Sequence, residues 1–217
     1  MSDSRKLSKS KEALIRAAER LLAEKGLEGA SDREIAKAAG QKNNSAVQYH
    51  FGDRTTLIEA ILDYRMLPLN KARSRMLEAL DQQELTVRKL VEVMVIPYIH
   101  HLLERPDDSH YIRLFSQLYQ RSGREIVANG ARASALYQAS EEIQKLLSDI
   151  PRSVLHARIN LAGMQLIHTA SDWDIQRRKH PERWTESELL TQTDILIDYI
   201  VGGLVHGLNE FDGFSGS

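Results

Sequence analysis

The chain has 217 residues, 42% of them hydrophobic and 27% charged, which is enough apolar material for a packed core and argues against a disordered polymer. It has no cysteine, so disulfides, thiolate metal sites and cysteine nucleophiles are all excluded, as suits a reducing compartment. MSDSRKLSKSKE is not followed by an apolar run of signal length, and no stretch reaches the ~18 apolar residues of a membrane span, so a soluble cytoplasmic protein is expected.

The net charge of −1 is unevenly spread. Residues 1–55 hold eleven Lys/Arg and eight Asp/Glu, a balance of +3, while residues 56–217 hold eighteen and twenty-two, a balance of −4. A local basic excess is what phosphate contact requires, because the favourable term comes from neutralised phosphates and released counterions.

Taken in order, Leu14, Ile15, Ala17, Ala18, Leu21 and Leu22 stripe an amphipathic helix from Ser10 to Lys25, which Gly26 stops. Ser31 and Glu34 have the spacing of a capping box; Ile35, Ala36 and Ala39 form the buried side of a second helix, and Gly40 is its C-cap. After Gln41-Lys42-Asn43, residues 44–51 allow only about two helical turns, too few to be stable alone. Val47 and Phe51 supply the packing, which leaves Asn44, Ser45, Gln48, Tyr49 and His50 outside. Asp53 can cap the next helix, striped by Leu57, Ile58, Ile61 and Leu62 and running to about Met66.

Leu67-Pro68 reads as a boundary before a helix from Pro68 to Leu80. A polar break at residues 81–84 precedes a helix from Leu85 to Leu103 that is apolar on nearly all sides; Pro97 inside it cannot donate to the Val93 carbonyl. A turn at residues 105–108 leads into a helix carrying Ile112, Phe115, Leu118 and Tyr119, with interruptions at 122–124 and 129–130 before another helix to Leu147. Two long helices close the chain, from Pro151 to Trp173 and from a capping box at Thr185 and Glu188 to Asn209, with loop 176–184 between them and a frayed tail at 211–217.

The closing hairpin carries more apolar surface than one chain needs. Glycine in a helix costs about 1 kcal/mol relative to alanine, so Gly202, Gly203 and Gly207 suggest close approach of another backbone. Leu155, Ile159, Ala162, Leu166, Leu196, Ile200, Gly203, Leu204 and Gly207 are the expected homodimer interface, a four-helix bundle of two hairpins; the alternative is a hairpin packed on its own chain.

Ile35-Ala36, Ala39-Gly40, the ending Tyr49-His50-Phe51 and a basic residue, Arg54, three past Phe51 together resemble the N-terminal domain of the tetracycline-repressor (TetR) family of bacterial transcription regulators. The resemblance covers about Lys11 to Met66. Two features depart from it: the turn Gln41 to Asn44 is one residue longer than usual, and Gln48 stands where Tyr is common. The resemblance implies an all-α protein, with a helix-turn-helix DNA-binding domain over residues 1–66 and a helical effector-binding and dimerisation domain over 67–217.

A DNA-reading helix enters the major groove at its N-terminus and is held by flanking phosphate contacts. Lys42, Asn43, Asn44, Ser45 and Gln48 are placed for bases or nearby backbone, with Asn and Gln suited to adenine edges and Lys to guanine acceptors. Arg33, at the start of the second helix, is an additional contact, and the family pattern implies phosphate contacts for Tyr49, His50 and Arg54. For a small, largely apolar effector, a role that leans on the resemblance, the candidate pocket residues are Met94, Tyr98, His101, Tyr111, Phe115, Tyr119, Tyr137, Met164, His168 and Trp173. Most such aromatics serve as core; Tyr98, His101 and His168 are preferred because their polar atoms need partners when buried.

No HExxH, GxxxxGK[ST] or GxSxG occurs, and the adjacent His100 and His101 point about 100° apart on a helix, so neither an enzyme, a cofactor nor a metal is expected. The expected partners are double-stranded operator DNA of palindromic form, a small-molecule effector and a second copy of the chain. The rival reading is a helical homodimeric protein-interaction module without DNA binding.

Overall fold

The computed structural model describes residues 7–104, 110–122 and 130–207. Regular structure there is helical throughout: α1 (Lys9–Lys25), α2 (Asp32–Ala38), α3 (Ala46–Phe51), α4 (Arg54–Ala79), a 3-10 turn (Gln82–Glu84), α5 (Val87–Glu104), α6 (Tyr111–Ser122), α7 (Gly130–Leu146), α8 (Arg152–Lys179) and α9 (Glu186–Val205). The all-α expectation holds. The expected turn at 105–108 and the chain after Gly207 lie outside the described residues, as do the expected interruptions at 122–124 and 129–130 except for Ser122, which ends α6, and Gly130, which starts α7. Among the described residues, no helix is long and apolar enough to cross a membrane.

Residues 7–69, 110–122 and 130–132 form one compact unit; residues 70–104 and 133–207 form a second. In the first, the stripe of α1 is buried as its period demands, and Leu14, Ile15, Ala18 and Leu22 are buried along with Ile35, Val47, Leu57, Ile61 and Leu62. α1 packs against α2 and α6, and α2 against α3. Helix α6 also serves as a cap: Arg113 Nη2 and Gln117 Nε2 both donate to the carbonyl of Ala23, at 3.2 and 3.0 Å. That carbonyl lies in the last turn of α1, where the helix offers no further N–H.

A buried ion pair ties the same unit together. Arg65 of α4 donates through Nε to Glu19 Oε2 at 2.6 Å and through Nη2 to Oε1 at 3.1 Å, and the His110 N–H just before α6 donates to the same Oε1 at 2.7 Å. Arg132 is likewise buried, with its guanidinium on Asp63 (2.6 Å), Glu59 and the Glu59 carbonyl.

In the second unit α5 packs on α8 and α9, which also pack on each other. Near Pro97 the carbonyl of Met94 accepts from Arg73 Nη2 at 3.1 Å, a guanidinium answering an acceptor beside the proline. Asn70 accepts from the Ala135 N–H at 3.0 Å and donates to Ser134 Oγ at 2.9 Å.

Two expected boundaries and one expected capping box are corrected. Helix α4 runs through Leu67-Pro68 without a break. The proline removes its own donor to the Tyr64 carbonyl and crowds that carbonyl with its ring, but Leu67 and Pro68 lie on the exposed side while buried Met66 and Leu69 hold the helix down. Helix α8 continues past Trp173 to Lys179, with Arg177, Arg178 and Lys179 in its last turn, where cations suit the carbonyl end, and with Arg178 on Asp174 at 3.1 Å. At the start of α9, Thr185 accepts from the Glu188 N–H as expected, but the Glu188 carboxylate accepts from Gln192 Nε2 at 2.9 Å.

Breaking a buried pair from one side leaves a charge without compensation. Arg65→Met should therefore destabilise the protein by about 3–5 kcal/mol in denaturant unfolding, and Glu19→Leu combined with Arg65→Met should cost less than Arg65→Met alone. Additive losses would contradict this.

Candidate nucleic-acid interface

The site begins with the cap of α2. Ser31 Oγ accepts from the Glu34 N–H at 3.2 Å, and Glu34 Oε2 accepts from the Ser31 N–H at 2.8 Å, closing the box foreseen from the sequence. Lys25 Nζ lies 2.9 Å from Glu34 Oε1, and this bond, with those from Ser31, lowers the Glu34 carboxyl to about 2. At the other end Gly40 has φ +68, its N–H donates to the Lys37 carbonyl, and the Gln41 N–H donates to that of Ala36. This is a Schellman closure, which needs the left-handed backbone that glycine adopts cheaply.

The turn then delivers α3, six residues long. Val47 and Phe51 are buried and anchor it. Asn43 Oδ1 accepts from the Ser45 N–H at 2.9 Å, shaping the approach to the helix start. Lys42, Asn43, Asn44, Ser45 and Gln48 are all exposed, and Tyr49 is 78% exposed, an unusual state for a large aromatic. Arg33 is exposed on α2. Seven of the nine sequence-predicted residues thus share an open polar and basic surface built from α2, the turn and α3.

The other two have internal partners. His50 is half-buried, with Nε2 at 3.1 Å from Ser10 Oγ, while Ser10 Oγ donates to Gln41 Oε1 at 2.9 Å. A hydroxyl has one proton, so towards His50 it accepts, and His50 Nε2 carries a proton. Arg54 donates to Asp32 Oδ1 at 2.8 Å and to the carbonyls of Ala30 and Leu27 at 2.8 and 3.1 Å. Ser10, Gln41 and Asp32 were not among the expected site residues; their roles depend on contacts 22 to 40 positions apart, which no local pattern encodes.

Residues 10–61 match the family model described as bacterial regulatory proteins, tetR family. Over these residues the chain is similar to the N-terminal DNA-binding domain of TetR-family regulators. Solved structures of TetR-family regulators share the fold. A regulator from Marinobacter aquaeolei VT8 is 18% identical with a TM-score of 0.62, covering 88% of this chain and 94% of that one. The fatty acid degradation regulator FadR from Bacillus halodurans is 18% identical with a TM-score of 0.60, covering 94% of this chain and 100% of that one. NalD of Pseudomonas aeruginosa, the secondary repressor of the MexAB-OprM multidrug efflux pump, is 22% identical with a TM-score of 0.58, covering 92% of this chain and 98% of that one. No match is found among curated proteins.

The expected effector residues divide between the units. Tyr111, Phe115 and Tyr119 are buried in the first, at helical spacing on α6, with successive ring centroids 5.4 and 6.2 Å apart. They form an aromatic ladder in the unit that contains α1, which is a core role. In the second unit Tyr98 and Trp173 are buried, Trp173 lying 6.2 Å from Trp184; Met94, His101 and His168 are half-buried, and Tyr137 and Met164 are exposed.

The expected dimer residues also separate. Leu155, Ile159, Leu166, Leu196, Ile200 and Leu204 are buried within the chain, Ala162 is half-buried, and Gly203 and Gly207 are exposed. At about 100° per residue these leucines and isoleucines fall on one side of their helices. The opposite sides carry exposed Leu161 on α8 and Ile195, Tyr199 and Gly202 on α9. A Cβ added at Gly202 or Gly203 would meet nothing within 4 Å. The apolar residues named from sequence are therefore the hairpin's inner face, and its outer apolar face was missed; the signal for it is the second stripe at 195, 199 and 202.

A DNA-reading surface of this kind makes Arg33 and Gln48 separable in a salt titration. Arg33→Ala should lower the slope of log affinity against log salt by about one, whereas Gln48→Ala should keep the slope and relax base preference at one position by about 1–3 kcal/mol. Measured by fluorescence anisotropy on duplexes selected by the wild-type chain, equal slopes for all three proteins would remove Arg33 from the interface.

Proposed function

We propose that this chain is a DNA-binding transcription regulator that works as a homodimer, binding a roughly palindromic operator as a repressor that a small, largely apolar effector releases. The observation that carries the dimer is the outer face of the α8–α9 hairpin, where Leu161 is 63%, Ile195 55% and Tyr199 67% exposed beside Gly202 and Gly203. Apolar stripes on adjacent helices, with open space over the glycines, suit the close packing of a four-helix bundle made by two hairpins. Two-fold symmetry then presents two copies of α3 to successive half-sites.

DNA reading is assigned to residues 1–66, and sensing and dimerisation to 67–217. The contact set is Arg33, Lys42, Asn43, Asn44, Ser45, Gln48 and Tyr49. For the effector the preferred polar anchors are Tyr98, His101 and His168, with Met94 and Trp173 as apolar lining. An effector shifts operator affinity only through its different affinities for the operator-bound and released states of the dimer.

Ile195→Asp and Tyr199→Asp should convert a sedimenting dimer into a folded monomer and weaken operator binding, while Ile200→Ala on the inner face should cost about 2–5 kcal/mol of stability and leave association unchanged. The duplexes selected by the wild-type chain should contain an inverted repeat. A wild-type monomer in sedimentation, or a selected site without two-fold symmetry, would contradict the dimer.

A further inference from the structure

Arg54 stands three residues past Phe51, where the family pattern implies a hold on phosphate, but its guanidinium is turned inward. We propose that Arg54 serves DNA binding as a positioning residue, fixing the loop before α2 and the first turn of α2 against the start of α4, and does not itself hold phosphate. The proposal rests on the DNA-binding reading.

The geometry is specific to a guanidinium. Both protons of Nη2 are taken, by the carbonyls of Leu27 and Ala30 at 3.1 and 2.8 Å, and Nη1 donates to Asp32 Oδ1 at 2.8 Å. Three acceptors on a seven-residue stretch of loop and helix start thus meet one planar fork, a match that the single ammonium of lysine cannot reproduce. The side chain is only 27% exposed, and its charge is balanced at contact distance by the Asp32 carboxylate, which lessens what it can offer a phosphate.

What the clamp holds decides where α2 stands. The stretch runs from Gly26, at φ +85, through buried Ala30 to Ser31, the N-cap of α2, and Asp32 is the first residue of that helix. Helix α2 packs on α3, and Arg33, exposed on the surface, is the next residue after Asp32. Loosening the clamp should therefore misplace the contact residues of α2 and α3 without removing any contact.

The test compares the full-length wild type with Arg54→Lys, Arg54→Ala and Arg33→Ala. The probe is the duplex that wild type selects from a randomised pool, titrated at several salt concentrations and at a temperature where circular dichroism shows every variant folded. Positioning predicts that Arg54→Lys loses affinity as Arg54→Ala does, by about 10- to 100-fold, the scale seen when a residue behind a metal ligand is removed. Both should retain the wild-type salt slope, while Arg33→Ala lowers it by about one. The proposal is overturned if Arg54→Lys binds like wild type, if Arg54→Ala lowers the salt slope by about one, or if the folded Arg54 variants bind with unchanged affinity. Should Arg54→Ala fail to fold, Arg54→Lys decides alone. Failure of the wild type to select any duplex would instead overturn the DNA-binding reading and the proposal with it.

Discussion

A six-residue helix cannot hold itself in water, because forming its first turn fixes more torsions than the few bonds gained can offset. Helix α3 has this length, so every feature that lets it present Gln48 and Tyr49 to a partner must come from outside it. Val47 and Phe51 sink one side into the core of the first unit. Gly40 turns the chain into it, Asn43 shapes its start, and the Ser10 hydroxyl joins Gln41 in the turn to His50 near its end. The stability of the reading surface thus belongs to α1, α2 and the turn.

The same division of labour separates positive charges that face outward from those that hold the fold. Arg33 and Lys42 are exposed. Arg54, Arg65 and Arg132 lie within the first unit, each against a carboxylate. Counting basic residues therefore overstates the electrostatic reach of this region, since a guanidinium paired at contact distance contributes little field beyond its partner. A modest excess of +3 over residues 1–55 is compatible with phosphate contact, because exposed cations such as Arg33 and Lys42 carry that contact in the DNA-binding reading.

Much of this was legible in the sequence because it is local. The Ser31/Glu34 box, the Gly40 turn, the Asp53 cap and the Val47/Phe51 pair lie within a few residues of what they control, and each forms as expected. Pro68 misled because the lost hydrogen bond and the crowding of the Tyr64 carbonyl are outweighed by burial on the other side of α4. The hairpin misled for a different reason: α8 and α9 are apolar on two sides, and periodicity identifies stripes without saying which one the same chain covers. The role of Arg54 was hidden because two of its acceptors are backbone carbonyls, which carry no residue identity.

The most direct test of the reading surface is amide hydrogen exchange of the full-length protein with and without the duplex it selects. Slowed exchange should centre on the peptide spanning Gly40 to His50, with a smaller effect at the start of α2. Protection confined to α5, α8 or α9, with none between Gly40 and His50, would contradict DNA recognition by this helix pair.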